Sequence, residues 1–269
     1  MKKRIITIIS LALCVCFLFS GCDSITSLLS GENETIDYKI ENNEATVIGV
    51  PNKSTVKAIT IPDEIEGVPV TKIADFAATN LEYVTDFYIG KNVKEIGNWA
   101  LANNQHIAKY TVDDANESFC SVDGVIYTID MKTVVYFPPA KEGEYKVADT
   151  VETIRSKAFY KCTKITKITL PDTIKEIQEK SFFRCEAITE INLPEGLKTI
   201  GKDAFAYCYG LTEINIPASV TNINEYAFYN CTNLLTVNVN NTESNITLGE
   251  KWYPTNNGLD IDGLKINWK

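Results

Sequence analysis

Apolar positions recur along most of this chain at a fixed step of 23 residues. Ile154, Ile177, Ile200 and Ile223 form one column, and Phe159, Phe182, Phe205 and Phe228 a second. Cys162, Cys185, Cys208 and Cys231 form a third, and Pro171, Pro194 and Pro217 a fourth. Upstream, Ile73 and Ile96 keep the step, with Ala77 and Ala100 in the slot held later by Ala158, Ala204 and Ala227. A period of this length denotes stacked supersecondary units, each unable to bury its apolar face alone. The pattern predicts a solenoid.

Within one coil, Ile177 can be taken as offset zero. Ser181, Phe182 and Cys185 follow at +4, +5 and +8, the spacing of one face of a short helix. Ile191 and Leu193 at +14 and +16 alternate with Glu190 and Asn192, which is the period of a strand with one face buried. Pro194 then ends the strand, since proline brings no amide hydrogen to a central ladder. The expected class is therefore α/β: a parallel sheet on one side and short helices on the other. The strand pairs Ile59/Ile61, Phe87/Ile89, Tyr110/Val112, Tyr145/Val147, Ile168/Leu170, Ile191/Leu193, Ile214/Ile216 and Val237/Val239 give about eight rungs.

The array, residues 36–240, is interrupted once. Ile96 and Ile154 are 58 apart, one period plus 35 residues. Within residues 113–144, Val125 to Ile129 and Val134 to Phe137 flank a polar four-residue turn, and Pro138 and Pro139 stop the second run. This reads as a hairpin insertion on the side of the solenoid. A solenoid also needs caps. Tyr38 to Ile40 and Thr46 to Ile48 around Glu41-Asn42-Asn43-Glu44 suggest an N-terminal hairpin. Residues 241–269, with Trp252, Tyr253, Ile261, Leu264, Ile266 and Trp268, read as a C-terminal lid.

Segments such as Ala204 to Pro217, preceded far upstream by Ile61-Pro62-Asp63-Glu64-Ile65-Glu66-Gly67-Val68-Pro69-Val70, resemble the BspA-type class of leucine-rich repeats. The resemblance covers about residues 36 to 240, with several columns in one register. The chain departs from the commoner leucine-rich pattern, in which an Asn or Cys follows the strand. Thr173, Gly196 and Ser219 stand there instead, so no asparagine ladder can form at that turn. The resemblance implies surface exposure, adhesion to host proteins or other cells, and no enzymatic activity.

The start of the chain resembles a bacterial lipoprotein leader. Lys2, Lys3 and Arg4 precede an apolar stretch from Ile5 to Phe19, and Ser20-Gly21 leads into Cys22. Residues 1–21 would be removed, Cys22 would carry the lipid, and residues 22–35 would be a short polar tether. The expected location is the outer face of a bacterial membrane, Gram-positive by this reading, with the lipid as the one membrane contact. Without Lys2, Lys3 and Arg4 the formal net charge falls from −9 to −12, which disfavours nucleic acid and anionic polymers as partners. Five cysteines follow Cys22, and the four in the periodic column are read as stacked, buried free thiols.

Catalytic chemistry is sparse. His106 is the one histidine of the chain, which leaves no His-rich metal set and makes serine or cysteine triads dependent on that residue. No phosphate-binding glycine loop is present, and Asp260-Ile261-Asp262-Gly263 lacks the distal glutamate of a calcium loop. Neither a cofactor nor a metal is expected. The expected function is a lipid-anchored surface protein binding another protein or a cell-surface ligand through the exposed side of its sheet. A structural or accessory envelope lipoprotein without a host ligand is the alternative. The candidate ligand-binding residues at offsets +13 and +15 are Asp86, Tyr88, Lys109, Thr111, Lys167, Thr169, Glu190, Asn192, Glu213, Asn215 and Asn238. Tyr88 is the best single anchor among them, because aromatic groups dominate interface energetics. The competing reading is that these side chains merely satisfy one another along the ladder.

Overall fold

A computed structural model describes residues 36–269. The leader, Cys22 and the tether lie outside the described residues. The remainder is a solenoid of parallel strands with three sides: a sheet of longer strands, a ladder of two-residue strands, and a side made of turns.

The sheet side has nine rungs in three groups of three. Ala58–Ile61, Asp86–Ile89 and Lys109–Val112 form the first group. Gly143–Lys146, Ile165–Thr169 and Glu190–Asn192 form the second, and Glu213–Ile216, Thr236–Val239 and Lys265–Trp268 the third. The ninth rung comes from the expected lid: Ile266 and Trp268 sit opposite Val237 and Val239. The second side carries the offset-zero column. Thr153–Ile154, Glu176–Ile177, Thr199–Ile200, Asn222–Ile223 and Thr247–Leu248 pair in parallel register.

The third side corrects the expectation of helices. Among the described residues the one helical element is a 3-10 turn at Glu243–Asn245. The offsets +4, +5 and +8 do point inward, which is why their spacing imitates a helix face, but the backbone is a run of turns. Lys157 and Lys161, Lys180 and Arg184, Asp203 and Tyr207, and Tyr226 and Asn230 have positive φ at +3 and +7 of successive coils. The left-handed conformation swings alternate amides out of the coil and along the solenoid axis. Lys180, Phe182 and Arg184 donate their N–H groups to the carbonyls of Lys202, Ala204 and Ala206 in the next coil, at 2.8–2.9 Å. The intervening Ser181, Phe183 and Cys185 donate within their own coil, three residues back. About seven residues per coil is too short a segment to repay helix nucleation, whereas this arrangement pairs every amide from Lys180 to Cys185.

Stacked columns fill the interior. Phe137, Phe159, Phe182, Phe205 and Phe228 form a spine with successive ring centroids 4.6, 4.8, 5.2 and 5.4 Å apart. The thiols of Cys185, Cys208 and Cys231 donate to the carbonyls of Phe159, Phe182 and Phe205 in the preceding coil, at 3.1, 3.3 and 3.0 Å. All four column cysteines are free and fully buried. At the turn after the strand, hydroxyls stand in for an asparagine ladder: Thr173 donates to Val151 O at 2.6 Å and Ser219 to Leu197 O at 2.7 Å. Gly196 in the same position has no room for a side chain, since a Cβ would lie 2.6 Å from Asp172 O.

The insertion forms the expected hairpin, Val125–Thr128 against Thr133–Tyr136, with Phe119–Val122 on its other edge. Its placement is a correction, because it is an internal wall and not a side loop. Thr133 and Val134 continue the offset-zero ladder beside Thr153 and Ile154. Val125, Tyr127, Val134 and Phe137 join the C-terminal core, while Ile126, Val135 and Tyr136 join the N-terminal one. Strands covered on both faces are apolar without alternation, and that is the character of the runs Val125-Ile126-Tyr127 and Val134-Val135-Tyr136-Phe137. At the N-terminal end, Asp37–Glu41 and Glu44–Gly49 form the cap hairpin around Asn42 and Asn43, both at positive φ.

Candidate binding faces

The strand alternation that buries Ile168, Ile191 and Ile214 sends their neighbours outward. All eleven candidate residues lie on that outer face, in the predicted register. Asp86 stands opposite Lys109, and Tyr88 opposite Thr111. Lys167 stands opposite Glu190, Thr169 opposite Asn192, and Asn215 opposite Asn238. They are not one cluster but three short ladders, one per group of rungs.

Each ladder is internally paired. Lys109 Nζ lies 3.3 Å from Asp86, and Lys167 Nζ 2.9 Å from Glu190. The hydrogen bond to Glu190 is the main reason the Lys167 ammonium holds its proton above the ordinary lysine range. Asn238 donates to Glu213 at 2.8 Å and to Asn215 at 2.9 Å, and Asn267 donates to Asn238 at 2.7 Å. An asparagine ladder thus exists on the exposed sheet, and at the turn after the strand asparagines also reach the preceding coil on either side of the Thr173, Gly196 and Ser219 coils: Asn116 donates to Gly90 O and Val93 O, and Asn241 to Ala218 O and Val220 O. Tyr88 donates its hydroxyl to the Asp113 carboxylate. Partial burial first, and that carboxylate second, push its phenol far above the usual tyrosine range. Asp113 is held below the usual carboxylate range chiefly by the same bond.

A second feature has no counterpart in the expectations from sequence. On the turn side, half-buried rings form a ridge along the solenoid. Trp99 touches Tyr160 at 5.0 Å, Tyr160 stacks on Phe183 at 5.2 Å, Phe183 meets Tyr207 edge-on at 5.1 Å, and Tyr207 meets Tyr229 at 5.8 Å. Cations cap it: Lys157 lies 4.3 Å from the centre of the Trp99 ring, and Arg184 5.0 Å from that of Tyr207. Its sequence signal is an aromatic residue just after the buried phenylalanine, as in Phe159-Tyr160, Phe182-Phe183 and Phe228-Tyr229. The stricter phenylalanine column beside it masks that signal.

His106 is exposed and borders a small hollow of about 200 Å³ with Asn80, Asn103, Gln105 and Lys161. Asp260 accepts a hydrogen bond from Tyr253 at 3.0 Å. Among the described residues no three His, Cys, Asp or Glu side chains converge as metal ligands.

The model of the BspA type leucine-rich repeat region matches this chain in six copies, over residues 51–122 and 143–254. No curated protein matches it. Among solved structures, the pneumococcal vaccine antigen PcpA is similar at 19% identity and a TM-score of 0.63, covering 88% of this chain and 86% of that one. A leucine-rich repeat protein of Eubacterium ventriosum is similar at 16% identity and a TM-score of 0.61, covering 85% and 84%. A leucine rich cell surface protein of Faecalibacterium prausnitzii is 24% identical with a TM-score of 0.52, covering 71% of this chain and 62% of that one.

Proposed function

This chain belongs to the BspA-type leucine-rich-repeat family, and on that premise we propose that it is a cell-surface binding protein that engages a protein partner through the exposed face of its nine-rung sheet. The observation that carries the reading is the pre-ordering of that face. Cross-strand pairs such as Lys167–Glu190 and Asn238–Asn215 already fix the outward side chains, so little conformational freedom remains to be lost on binding. The description of the Faecalibacterium relative as a cell surface protein agrees with this location. Cys22 is the proposed lipid attachment point, tethering the solenoid by residues 22–35 to the outer face of the membrane of a Gram-positive cell. Binding, and not catalysis, is the proposed activity.

Three measurements test the reading. Intact cells treated with an impermeant amine-reactive label should yield labelled protein; labelling confined to lysed cells would favour a structural or accessory envelope role. The immobilised protein should then bind saturably to at least one of a panel of purified extracellular-matrix proteins. Mass spectrometry of the membrane fraction should find diacylglycerol on Cys22, and an unmodified protein released into the medium would end the anchoring proposal.

A further inference from the structure

Two solvent-open hollows, one where the ladder of short strands meets the turn side and one on the turn side itself, meet at Lys202, which lines both. One, of about 660 Å³, follows the coils from Trp99 past Ser156, Gln178, Thr199 and Asn224. The other, of about 680 Å³, is lined by Phe183, Tyr207, Tyr226 and Tyr229 and walled by Leu259. These four rings pack on one another and belong to neither core cluster. The wall is a hairpin built from Thr255–Asn256 and Leu259–Asp260, with Asn257 and Gly258 at positive φ in its turn. Its tip is pinned by Lys251, which donates to Gly258 O at 2.9 Å. Leu259 is thereby held 73% exposed beside the rings.

We propose that this groove binds a neutral polysaccharide chain, independently of the sheet face. Charge is the first argument. Its charged groups are largely matched with one another: Lys202 lies 2.9 Å from Glu225, and Lys180 bridges Glu179 at 3.1 Å and Asp203 at 3.0 Å. A polyanion would meet Glu176, Glu179 and Asp203, and a polycation would meet Lys202 and Lys251. Ser156 already donates to Glu179 O at 2.9 Å and Gln178 to Glu176 at 3.1 Å, so the polar side chains left to meet a ligand are Asn98, Thr199 and Asn224, amides and a hydroxyl that can both donate and accept. The second argument concerns the backbone. A peptide can bind by adding a strand to an unpaired sheet edge, but the amides beside this groove are taken. Asp203 N bonds Glu225 O at 3.0 Å, and Tyr207 N bonds Tyr229 O at 2.8 Å. Recognition must therefore run through side chains. Aromatic rings for the C–H faces of sugar rings, with amides, carboxylates and hydroxyls for their hydroxyls, supply that chemistry. The length of the groove, spanning several coils, suits a chain over a single small molecule.

The test is affinity electrophoresis of the protein through native gels containing hydroxyethylcellulose, konjac glucomannan or barley β-glucan, with polygalacturonate as the anionic comparison. Retardation is expected in at least one neutral gel. Tyr226→Ala and Leu259→Asp should each reduce it at least fivefold; Leu259 is exposed enough that the second change leaves the thermal unfolding midpoint in place. Charge reversal of Glu190 and Glu213 on the sheet should leave the retardation unchanged, which separates this site from the sheet reading. Free mobility in every neutral gel, retardation in polygalacturonate alone, or retardation that survives both groove variants would overturn the proposal.

Discussion

Cys185, Cys208 and Cys231 each fill a small buried slot and hand a weak hydrogen bond to the coil before. Serine could reach the same carbonyls, but with a shorter, more strongly hydrated group that must be stripped of water. Cys208→Ser is therefore expected to cost about 1–2 kcal/mol in chemical denaturation. Thiol reagents should reach the four column cysteines only after unfolding; two disulfides among them would contradict the structure. Burial pushes the thiols of Cys185 and Cys208 and the phenol of Tyr110 well above their ordinary ranges. Groups whose folded values are raised stabilise the fold below their unfolded values and lose that contribution as pH rises toward the folded ones. The unfolded chain releases these protons near about 8.5 for cysteine and about 10 for tyrosine. The unfolding midpoint should hold steady through neutral pH and fall progressively above that onset, less steeply at first in the Cys185→Ala/Cys208→Ala variant. These buried columns were legible in the sequence, because an identical environment in every coil selects the same residue at the same step. Tyr88 was legible as an outward residue but not as the partner of Asp113, since that bond spans 25 residues across the start of the insertion.

The strands were readable from alternation, while the turn side was not. Inward spacing at +4, +5 and +8 constrains which side chains are buried, yet says nothing of where the amides point, and here they point to the neighbouring coil. The insertion shows the same limit in another form. Its hairpin was readable from two apolar runs and a polar turn, but its burial lay in the lack of alternation, as at Val125, Ile126 and Tyr127. Two substitutions probe these elements. Phe182→Ala opens the spine between two stacked neighbours and is expected to destabilise by about 3–5 kcal/mol. Ile126→Asp places a carboxylate in the wall between the two cores and should cost about 3 kcal/mol or more. A hairpin on the outside of the solenoid would tolerate the Ile126 change, so an unaltered denaturation curve would contradict the internal wall.

Net charge described the whole molecule but not its faces. The acidic balance argued against anionic partners everywhere, whereas the structure distributes charge unevenly: Glu190 and Glu213 stand on the sheet, and Lys157 and Arg184 cap the rings of the turn side. A rigid solenoid keeps such faces apart, so each can be altered without the other. Periodicity could not single out a binding face, because the same repeat that builds the fold also repeats every exposed column. The most direct measurement is the equilibrium affinity of the protein for an extracellular-matrix protein that shows saturable binding in the panel, before and after Tyr88→Ala combined with Glu190→Lys and Glu213→Lys. Glu190 and Glu213 are exposed and Tyr88 gives up one partly buried contact with Asp113, so a modest fall in the thermal unfolding midpoint with a cooperative transition is expected. The sheet-face account predicts at least a tenfold loss of affinity in the triple variant with the fold intact; an undiminished affinity would place the binding surface elsewhere.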